Sequence, residues 1–278
     1  MNIERVNPDL NHEYNTSNHP KDPNDMDIQD KKYDIELDKT RLCNYMSLIG
    51  YPTSWTYTLT EDEASILLEC ATVGKKVGSA RLFKDELEPI INRLNKDWQS
   101  GLWFFRFDSN SPKDGNPVFP IMSASDAINK IVTSKRAWTS LLREDRKIYF
   151  VSYDRSWDQR REFRVFIYKR RITAISQYYS YDRGMLSNAS DDDIIKIINM
   201  IVDHVNKYIN PVCDSINTDN IVCDVYVNTD EKTIKIIEFN SFGYWLASGS
   251  CLFHWIKDKN ILYGTGDTIH VRVVKYLW

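Results

Sequence analysis

Three polar side chains interrupt two apolar segments in the C-terminal third of the chain. Asp224 lies within IVCDVYV, and Glu238 and Asn240 follow the apolar run TIKII. Short apolar runs rich in β-branched residues are typical of buried strands, in which residues two apart share a face. Glu238 and Asn240 are therefore expected to point to one side of a sheet, with Ile237 and Phe239 on the other.

The two segments are expected to pair as a hairpin whose turn centres on Glu231. This register places Asp224 opposite Glu238, with Cβ atoms about 5 Å apart. Two carboxylates at this distance repel unless a cation lies between them, and carboxylate and amide oxygens suit Mg²⁺. The hairpin thus predicts metal ligands at Asp224, Glu238 and Asn240. A one-residue slip would turn Asp224 away, and ordinary polar positions on a hydrated sheet face are the alternative.

Basic side chains on two further predicted strands are candidate phosphate ligands. Arg106 lies in the strand LWFFRF, and the loop after it carries Ser111 and Lys113. Arg164 lies in the strand EFRVFIY beside Glu162, and an arginine can bind phosphate through two parallel hydrogen bonds. Each motif has a plainer interpretation: a simple turn for the SPKDG loop, and a paired surface charge for Arg164. The chain contains neither a GxxxxGK[ST] phosphate loop nor GxGxxG.

The elements around these residues mix helices with hairpin-forming strands, which indicates an α+β fold. Thr60 begins a capping-box pattern and Ser190 precedes three aspartates, so both are expected to cap helices, the second of which should end before Pro211. The predicted helices are a short one from Thr60, then Asp85 to Gln99, Ser123 to Val132 and Ser190 to Tyr208. The predicted strands cover residues 102–107, 147–153, 162–168, 172–178, 220–227 and 233–239.

Composition argues against several classes of protein. No apolar run approaches the roughly 20 residues of a membrane span, and the N-terminus lacks the apolar core of a secretion signal. The five cysteines are scattered and include no CxxC pair, which argues against a disulfide framework or a zinc cluster. We therefore expect a cytoplasmic protein with reduced thiols.

Charge is unevenly distributed, although the net charge is only −3. Residues 1–39 carry ten acidic and five basic side chains, which predicts an acidic leader ordered only in part. Residues 135–183, the basic band, carry thirteen Lys or Arg against six Asp or Glu, interleaved with eleven aromatic residues. Such a band suits a polyanion such as nucleotide phosphates or a nucleic acid. A solvated charged surface is the alternative.

Four blocks of the sequence, in order, resemble the cell division cycle protein 123 family, whose members have an ATP-grasp fold. The blocks are WFFR…SPKD, EFRVF…AISQ, DVY…IIEFNSFG…LFHW and the terminal VRVV, and the resemblance as a whole spans roughly residues 41–274. The resemblance implies two α+β lobes with antiparallel sheets that sandwich ATP. It implies an acidic, partly disordered leader at 1–39, an N-terminal lobe with a phosphate-covering loop at 40–145, and a C-terminal ATP-grasp lobe with the metal site at 146–278.

The resemblance also implies ATP and Mg²⁺ as cofactors and assigns roles to individual residues. Arg106 would bind the phosphates at a position where the family often has lysine, and Lys113 would cover them with its loop. Arg164 would reach the phosphates or the second substrate, and these three are the expected catalytic residues. The metal triad is matched, although the family more often has aspartate at position 238 and proline at 241. The expected nucleotide contacts are Arg106, Ser111, Lys113, Phe150, Tyr153, Arg164, Gln177 and Arg272.

ATP-grasp proteins typically activate an acceptor with the γ-phosphate and join it to a nucleophile, so the resemblance implies an ATP- and Mg²⁺-dependent ligase. The basic band favours a nucleic-acid end as the acceptor, RNA rather than DNA, because aromatic faces and basic side chains together bind single strands. Abundant Asn and Ile indicate an AT-rich genome, such as that of a protist or a large DNA virus. In the viral case the location would be the host cytoplasm.

Two alternatives remain open. Cellular members of the family imply an ATP-binding assembly factor for translation initiation factor 2, with its γ subunit as partner. Few residues follow Val274, where the family's docking tail would be expected, and this favours the ligase. An amino-acid or peptide ligase is the second alternative.

Overall fold

The computed structural model describes residues 1–7, 26–179, 184–246, 248–264 and 266–275, with side chains of the first helix described from residue 32. The chain forms two compact units. The middle unit is Gly50–Ser156, and the large unit combines Met1–Ile49 with Trp157–Trp278. This division differs from the expected lobes, because the strand that follows residue 145 belongs to the middle unit and the first 49 residues belong with the C-terminal segment.

Each of the six predicted strands is present within two residues of its expected bounds, and the α+β class is confirmed. The strands are β1 (Asn2–Val6), β2 (Trp55–Thr58), β3 (Trp103–Phe107), β4 (Lys147–Ser152), β5 (Glu162–Tyr168), β6 (Arg171–Gln177), β7 (Ile221–Asn228), β8 (Thr233–Ser241) and β9 (His270–Val274). The helices are α1 (Met26–Lys39), α2 (Glu61–Val77), α3 (Lys84–Asp97), α4 (Ala124–Thr133), α5 (Lys135–Leu142), α6 (Asp191–Ile216) and α7 (Lys259–Leu262). Over the described residues, none of the helices combines the length and hydropathy needed to cross a bilayer.

The middle unit places helices α2 to α5 around a three-stranded antiparallel sheet in the order β2-β4-β3. Helix α2 begins as predicted: the Thr60 hydroxyl accepts from the Glu63 N–H at 3.2 Å, and the Glu63 carboxylate accepts from the Thr60 N–H at 2.9 Å. The helix is longer than predicted and ends at Gly78, whose φ of +67° favours glycine. The helix predicted from Ser123 is present as α4, and the Ser123 hydroxyl caps it by accepting from the Asp126 N–H at 3.0 Å.

The large unit contains a six-stranded mixed sheet in the order β1-β9-β6-β5-β7-β8. Helix α6 covers one face of it, packing against β6, β7 and β8 through buried residues such as Ile194, Ile198 and Ile201. The prediction that this helix ends before Pro211 is wrong, since it continues to Ile216. The residues after the proline include fully or almost fully buried apolar side chains, whose packing offsets the missing backbone hydrogen bond.

The acidic leader contains more regular structure than expected. Residues Asn2–Val6 form β1, which runs parallel to β9, and residues Met26–Lys39 form α1, which packs against β8. Residues 8–25 lie outside the described part of the chain. Local composition did not reveal β1 because its partner strand begins at His270, near the other end of the chain.

Candidate metal and phosphate site

One face of the six-stranded sheet carries a row of polar side chains, one from each strand. Directly opposed residues in neighbouring strands point to the same face. From β1 to β8, successive register pairs join Glu4, Arg272, Ser176, Arg164, Asp224 and Glu238. Four of the residues expected to bind metal or nucleotide therefore share this polar row.

Arg164 and Asp224 form a bidentate ion pair within the row. Arg164 Nε lies 2.8 Å from Asp224 Oδ1, and Arg164 Nη2 lies 2.7 Å from Oδ2. The two side chains are only 7% and 3% exposed. Burial alone would lower the pKa of Arg164, but the Asp224 carboxylate outweighs burial and raises that pKa well above its ordinary value. The arginine therefore stays charged in a buried position.

The edge strand β8 adds Glu238 and Asn240 to this pair. Asn240 Nδ2 donates to Asp224 Oδ2 at 3.1 Å, and Glu238 is the register partner of Asp224, as the hairpin predicted. Towards the turn the register shifts by one, because a β-bulge leaves Ile237 without a partner residue on β7. A bulge changes the direction of the side chains beside it and is common next to functional sites.

The chemistry of these donors fits a hard divalent cation. Two carboxylates in register and one amide supply the oxygen ligands that Mg²⁺ prefers, with water or phosphate oxygens to complete the coordination. Asn240 would have to turn its amide to present Oδ1, since Nδ2 faces Asp224. Across the described residues, no cluster of three or more His, Cys, Asp and Glu side chains is arranged to hold a metal ion. The candidate is therefore this mixed carboxylate–amide group.

Two of the groups beside the ion pair, Tyr178 and Cys251, are uncharged. Arg164 lies 4.9 Å from the centroid of the Tyr178 ring, a cation–π distance. Burial raises the pKa of the Tyr178 hydroxyl despite the opposing effect of Arg164, and burial raises the pKa of the Cys251 thiol to about 12. Neither group adds charge at neutral pH. Glu162, the neighbour expected for a paired surface charge, accepts instead from Trp157 Nε1 at 2.7 Å.

A loop covering residues 248–258, the docked loop, lies along the polar row and is held by three of its members. Arg164 Nη1 donates to the backbone oxygen of Gly249 at 2.5 Å. The Leu252 N–H donates to Ser176 Oγ at 3.0 Å, and Arg272 Nη1 donates to the Leu252 oxygen at 3.2 Å. The row therefore positions this loop as well as the carboxylates.

Two residues expected to contact the nucleotide are engaged with protein groups. Arg272 pairs with Asp258 at 2.5 and 2.9 Å and with Glu4 at 2.8 Å, and its side chain is 15% exposed. Gln177 is fully buried, and its Nε2 donates to the backbone oxygen of Tyr179 at 2.9 Å. These contacts give both residues a structural role, and their expected contacts with the nucleotide stay predictions.

In the middle unit, Arg106 occupies a buried polar position on β3. It is 3% exposed, lies opposite Tyr149 of β4, and donates from Nε to the backbone oxygen of Phe107 at 3.1 Å. The Tyr149 hydroxyl donates to Asp108 at 2.9 Å. A buried guanidinium in this setting can bind an anion with little loss of side-chain entropy.

The loop after β3 is fixed to the helices beneath it. Asp114 caps α5, accepting from Ser134 Oγ at 2.6 Å and from the Lys135 N–H at 2.9 Å. Ser111 is buried, whereas Lys113 is exposed. The SPKDG sequence is thus more than a simple turn, since its aspartate anchors the loop and leaves Lys113 facing solvent.

Sequence reasoning missed the second anchor of this loop, Lys130 of α4. Its Nζ donates to the backbone oxygens of Asp114, Gly115 and Pro117 at 3.1, 3.2 and 2.8 Å, and its side chain is fully buried. Burial lowers the pKa of Lys130 to about 8, with Asp114 opposing the shift. The sequence carried one signal of its burial: Lys130 comes three residues after Ala127 and so lies on the buried face of α4.

Of the aromatic residues expected near adenine, Phe150 lies in the core of the middle unit. It is fully buried, and its ring is stacked on Trp55 with centroids 3.8 Å apart. It presents no surface to a ligand, and its expected contact with the nucleotide stays a prediction. Tyr153 follows β4, is half-buried and donates its N–H to the Leu102 oxygen at 2.8 Å.

Comparison with known proteins identifies the family to which the region containing these residues belongs. A model of the D123 family matches residues 106–276, which is more than half of the chain. The chain belongs to the D123 family. All the candidate site residues, from Arg106 to Arg272, lie inside this D123 region, and the predicted family resemblance is confirmed.

Individual relatives show how far the similarity extends. The putative CDC123-like protein L884 of Acanthamoeba polyphaga mimivirus is 30% identical over 175 residues, covering 59% of this chain and 52% of that protein, so the chain spans about half the length of this curated relative. The structure of Cdc123 from Schizosaccharomyces pombe matches 87% of this chain and 97% of its own, with 14% identity and a TM-score of 0.59, which shows a shared fold. An ATP-grasp RimK domain protein from Sphaerobacter thermophilus matches 82% of this chain over 66% of its own length, with 10% identity. Its TM-score of 0.38 is too low to establish a shared fold.

The basic band of the D123 region is less positive at the surface than its sequence indicates. Six of its arginines are paired with carboxylates, and five of the six have partners outside the band. The pairs are Arg146–Glu61, Arg160–Asp158, Arg161–Asp230, Arg164–Asp224, Arg170 with Asp214 and Asp219, and Arg171–Asp267. Tyr181 and Arg183, also part of the band, lie outside the described residues. The carboxylate partners could not be identified by counting charges along one segment.

Proposed function

We propose that this D123 protein binds ATP together with Mg²⁺ and uses it in a ligase reaction of the ATP-grasp type. The observation that carries the proposal is the group formed by the buried pair Arg164 and Asp224 with the partly exposed Glu238 and Asn240. It combines a cation suited to phosphate with oxygen donors suited to Mg²⁺, on adjacent strands of one sheet. Such a charged group is costly to bury, which argues for a role in ligand binding.

Each residue of the group has a defined task in this proposal. Glu238 and Asp224 would hold the metal, Asn240 would present its amide oxygen, and Arg164 would neutralise phosphate oxygens while keeping Asp224 in place. Mg²⁺, when bound, would supply charge stabilisation to the transferred phosphoryl group. Arg106, Ser111 and Lys113, which the family resemblance assigned to the phosphates, lie in the middle unit, and their roles stay predictions.

The proposed acceptor is an RNA end, as the aromatic and basic residues of the D123 region suggested. The paired arginines reduce the positive surface available for this role, so the acceptor rests on weaker support than the nucleotide. An ATP-binding assembly factor for translation initiation factor 2 is the alternative that the same group supports, because such a factor needs ATP binding without ligation. An amino-acid or peptide ligase differs from both in its acceptor.

ATP binding and RNA joining can be measured on the same preparation. The full chain is titrated with ATP in the presence and absence of MgCl₂, and then incubated with ATP, MgCl₂ and 5′-phosphorylated RNA. We expect Mg²⁺-dependent ATP binding, and joined or circular RNA with release of AMP or ADP. Asp224→Asn, which keeps the side-chain size, should weaken ATP binding by about tenfold or more.

Three results would redirect the proposal. Unchanged Mg²⁺-dependent ATP binding in Asp224→Asn would refute the metal assignment. ATP binding without RNA joining, combined with tight binding to the γ subunit of translation initiation factor 2, would favour the assembly factor. RNA binding that does not weaken with added salt would remove RNA as the acceptor, since phosphate contacts always release counterions.

A further inference from the structure

Strand β8 carries two of the three proposed metal ligands, although it lies at the edge of the sheet. It is hydrogen-bonded to β7 on one side only. An edge strand is held less firmly than a central one, and here the β-bulge at Ile237 interrupts even that single ladder beside Glu238. Some other part of the chain must therefore fix the geometry of these ligands.

Tyr45 provides this contact from outside the D123 region. The Phe239 N–H, which lies between Glu238 and Asn240 in the chain, donates to the Tyr45 hydroxyl at 3.1 Å. Tyr45 is fully buried, and its ring meets the Phe239 ring edge-on with centroids 5.1 Å apart. The tyrosine thus holds the backbone that joins the two ligands as well as the side chain between them.

Tyr45 is itself fixed by a rigid segment. Residues 36–45, the edge cover, lie along the outer side of β8, where Ser241 Oγ donates to the Glu36 backbone oxygen at 2.9 Å. At the other end of the edge cover, Ser215 of helix α6 donates from Oγ to the Asn44 oxygen at 2.6 Å. The hydroxyl of Tyr45 therefore approaches β8 from a segment that is tied both to β8 and to α6.

The consequence for a metal site follows from coordination geometry. Mg²⁺ demands nearly ideal octahedral coordination at about 2.1 Å, whereas Ca²⁺ accepts variable geometry at longer distances. Rotation of the Phe239 peptide would change the spacing between the side chains of Glu238 and Asn240. Loss of the Tyr45 hydrogen bond should therefore affect Mg²⁺ more than Ca²⁺.

We propose that Tyr45 is a positioning residue that sets the spacing of Glu238 and Asn240 and so makes the site selective for Mg²⁺. The proposal rests on the proposed function, since it requires that these residues bind a metal with ATP. The proposal adds a residue from the segment before residue 50 to the functional residues of the D123 region. Tyr45 acts through the backbone and does not touch the substrate.

The test compares ATP binding by the full chain in MgCl₂ and in CaCl₂ for the wild type and Tyr45→Phe, a substitution that removes only the hydroxyl. We expect the ATP affinity in Mg²⁺ to fall by about tenfold, as is typical for residues that orient metal ligands. In Ca²⁺ the affinity should fall by about threefold or less, because that ion tolerates altered spacing.

Tyr57→Phe is the matched control. Tyr57 is also buried and donates its hydroxyl to Glu63 at 3.2 Å, but it lies in the middle unit and contacts no proposed ligand. It should leave both affinities unchanged, even if the melting temperature falls. If Tyr45→Phe lowered the ATP affinity equally in Mg²⁺ and in Ca²⁺, or did not lower it at all, the positioning role would be overturned.

A measurement on the wild type avoids dependence on the variant's folding. The Phe239 amide should exchange its hydrogen slowly, although it faces the edge of the sheet, and exchange as fast as in an exposed strand would overturn the proposal. The failure of the proposed function is distinguishable: Asp224→Asn would then retain Mg²⁺-dependent ATP binding. Retained Mg²⁺-dependent ATP binding in Asp224→Asn would overturn both the proposed function and the positioning role. If Asp224→Asn loses that binding but Tyr45→Phe leaves it unchanged, only the positioning role is overturned.

Discussion

Arg164 and Arg272 are two arginines of the same polar row that the sequence assigned to the same nucleotide. Both form bidentate pairs with an aspartate: Arg164 with Asp224, and Arg272 with Asp258. Both also donate to the backbone of the docked loop. The difference lies in what surrounds each pair.

Around Arg164 the neighbours come from adjacent strands and include further oxygen donors. Asp224 faces Glu238 across β7 and β8 and accepts from Asn240. Around Arg272 the partners come from two distant segments, namely β1 through Glu4 and the docked loop through Leu252 and Asp258. The first arrangement collects ligands on a flat sheet, and the second ties the ends of the chain together.

This difference motivates the proposal that the Arg164 group binds a ligand, whereas the Arg272 group is a structural crosslink. Asp224 and Glu238 bring two like charges together beside the single cation of Arg164, an arrangement that a divalent cation would stabilise. A group that joins distant segments stabilises the fold without any ligand. Arginine in an apolar strand is therefore an ambiguous signal until its partners are known.

The largest expected effect is on stability. Arg164→Ala leaves Asp224 buried without its cation, which should lower the free energy of unfolding by about 3–5 kcal/mol. Arg272→Ala removes a pair that is partly accessible to water, and we expect about 1–3 kcal/mol. Urea unfolding of each variant measures both values.

Added metal sharpens this first comparison. In Arg164→Ala, Asp224 and Glu238 lose the cation beside them, so MgCl₂ or CaCl₂ should restore part of the lost stability by binding the folded state. The stability of Arg272→Ala should not respond to either salt beyond the wild-type response. Equal rescue of both variants would contradict the assignment of the metal site to the Arg164 region.

The second prediction concerns ATP affinity. Glu238→Gln should weaken Mg²⁺-dependent ATP binding by about tenfold or more. The free energy of unfolding of Glu238→Gln should stay within about 0.5 kcal/mol of wild type. Glu238 is partly exposed, and its substitution removes a repulsion between like charges, so little stability is lost. Calorimetric titration with ATP and thermal unfolding give the two quantities.

Asp258→Asn provides the control from the Arg272 region. It removes a charge from the structural crosslink, so the melting temperature should fall while the ATP affinity stays at the wild-type value. If Asp258→Asn weakened ATP binding as much as Glu238→Gln, the two regions would not differ in function.

The smallest expected effect is at Ser176, which lies between the two arginines in the row. Ser176→Ala removes the acceptor for the Leu252 N–H of the docked loop and should lower the free energy of unfolding by about 1 kcal/mol. ATP affinity should change by no more than about twofold, because the residue offers no ligand. A larger loss of affinity would show that the docked loop, and with it Arg272, belongs to the binding site.

The sequence predicted well where the determining contacts are local. The hairpin of β7 and β8 follows from strand periodicity, and the Thr60 cap follows from residues within one turn of helix. The turn centres between Asp230 and Glu231 rather than on Glu231, and the bulge at Ile237 restores the predicted pairing of Asp224 with Glu238. The bulge at Ile237 could not be predicted, because an extra residue changes the register without a mark in the apolar pattern.

Prediction failed where the contacts join distant segments. The leader contains β1 because its partner is β9, and Tyr45 meets β8 across almost 200 residues of chain. The roles expected for Phe150, Gln177 and Arg272 follow from the family resemblance, which does not show whether a side chain faces a ligand or the core, and they stay predictions. Lys130 was missed because its partners are backbone oxygens of a loop, which carry no sequence signature.

The most direct test of the central claim is the position of the metal. Crystals of the full chain grown with ATP and MnCl₂ in place of MgCl₂ would locate the ion by anomalous scattering. We predict a peak within about 2.5 Å of carboxylate oxygens of both Asp224 and Glu238, with the Asn240 amide turned to present its oxygen. A peak elsewhere, or bound ATP with the Arg164–Asp224 pair unchanged and no metal beside it, would contradict the account.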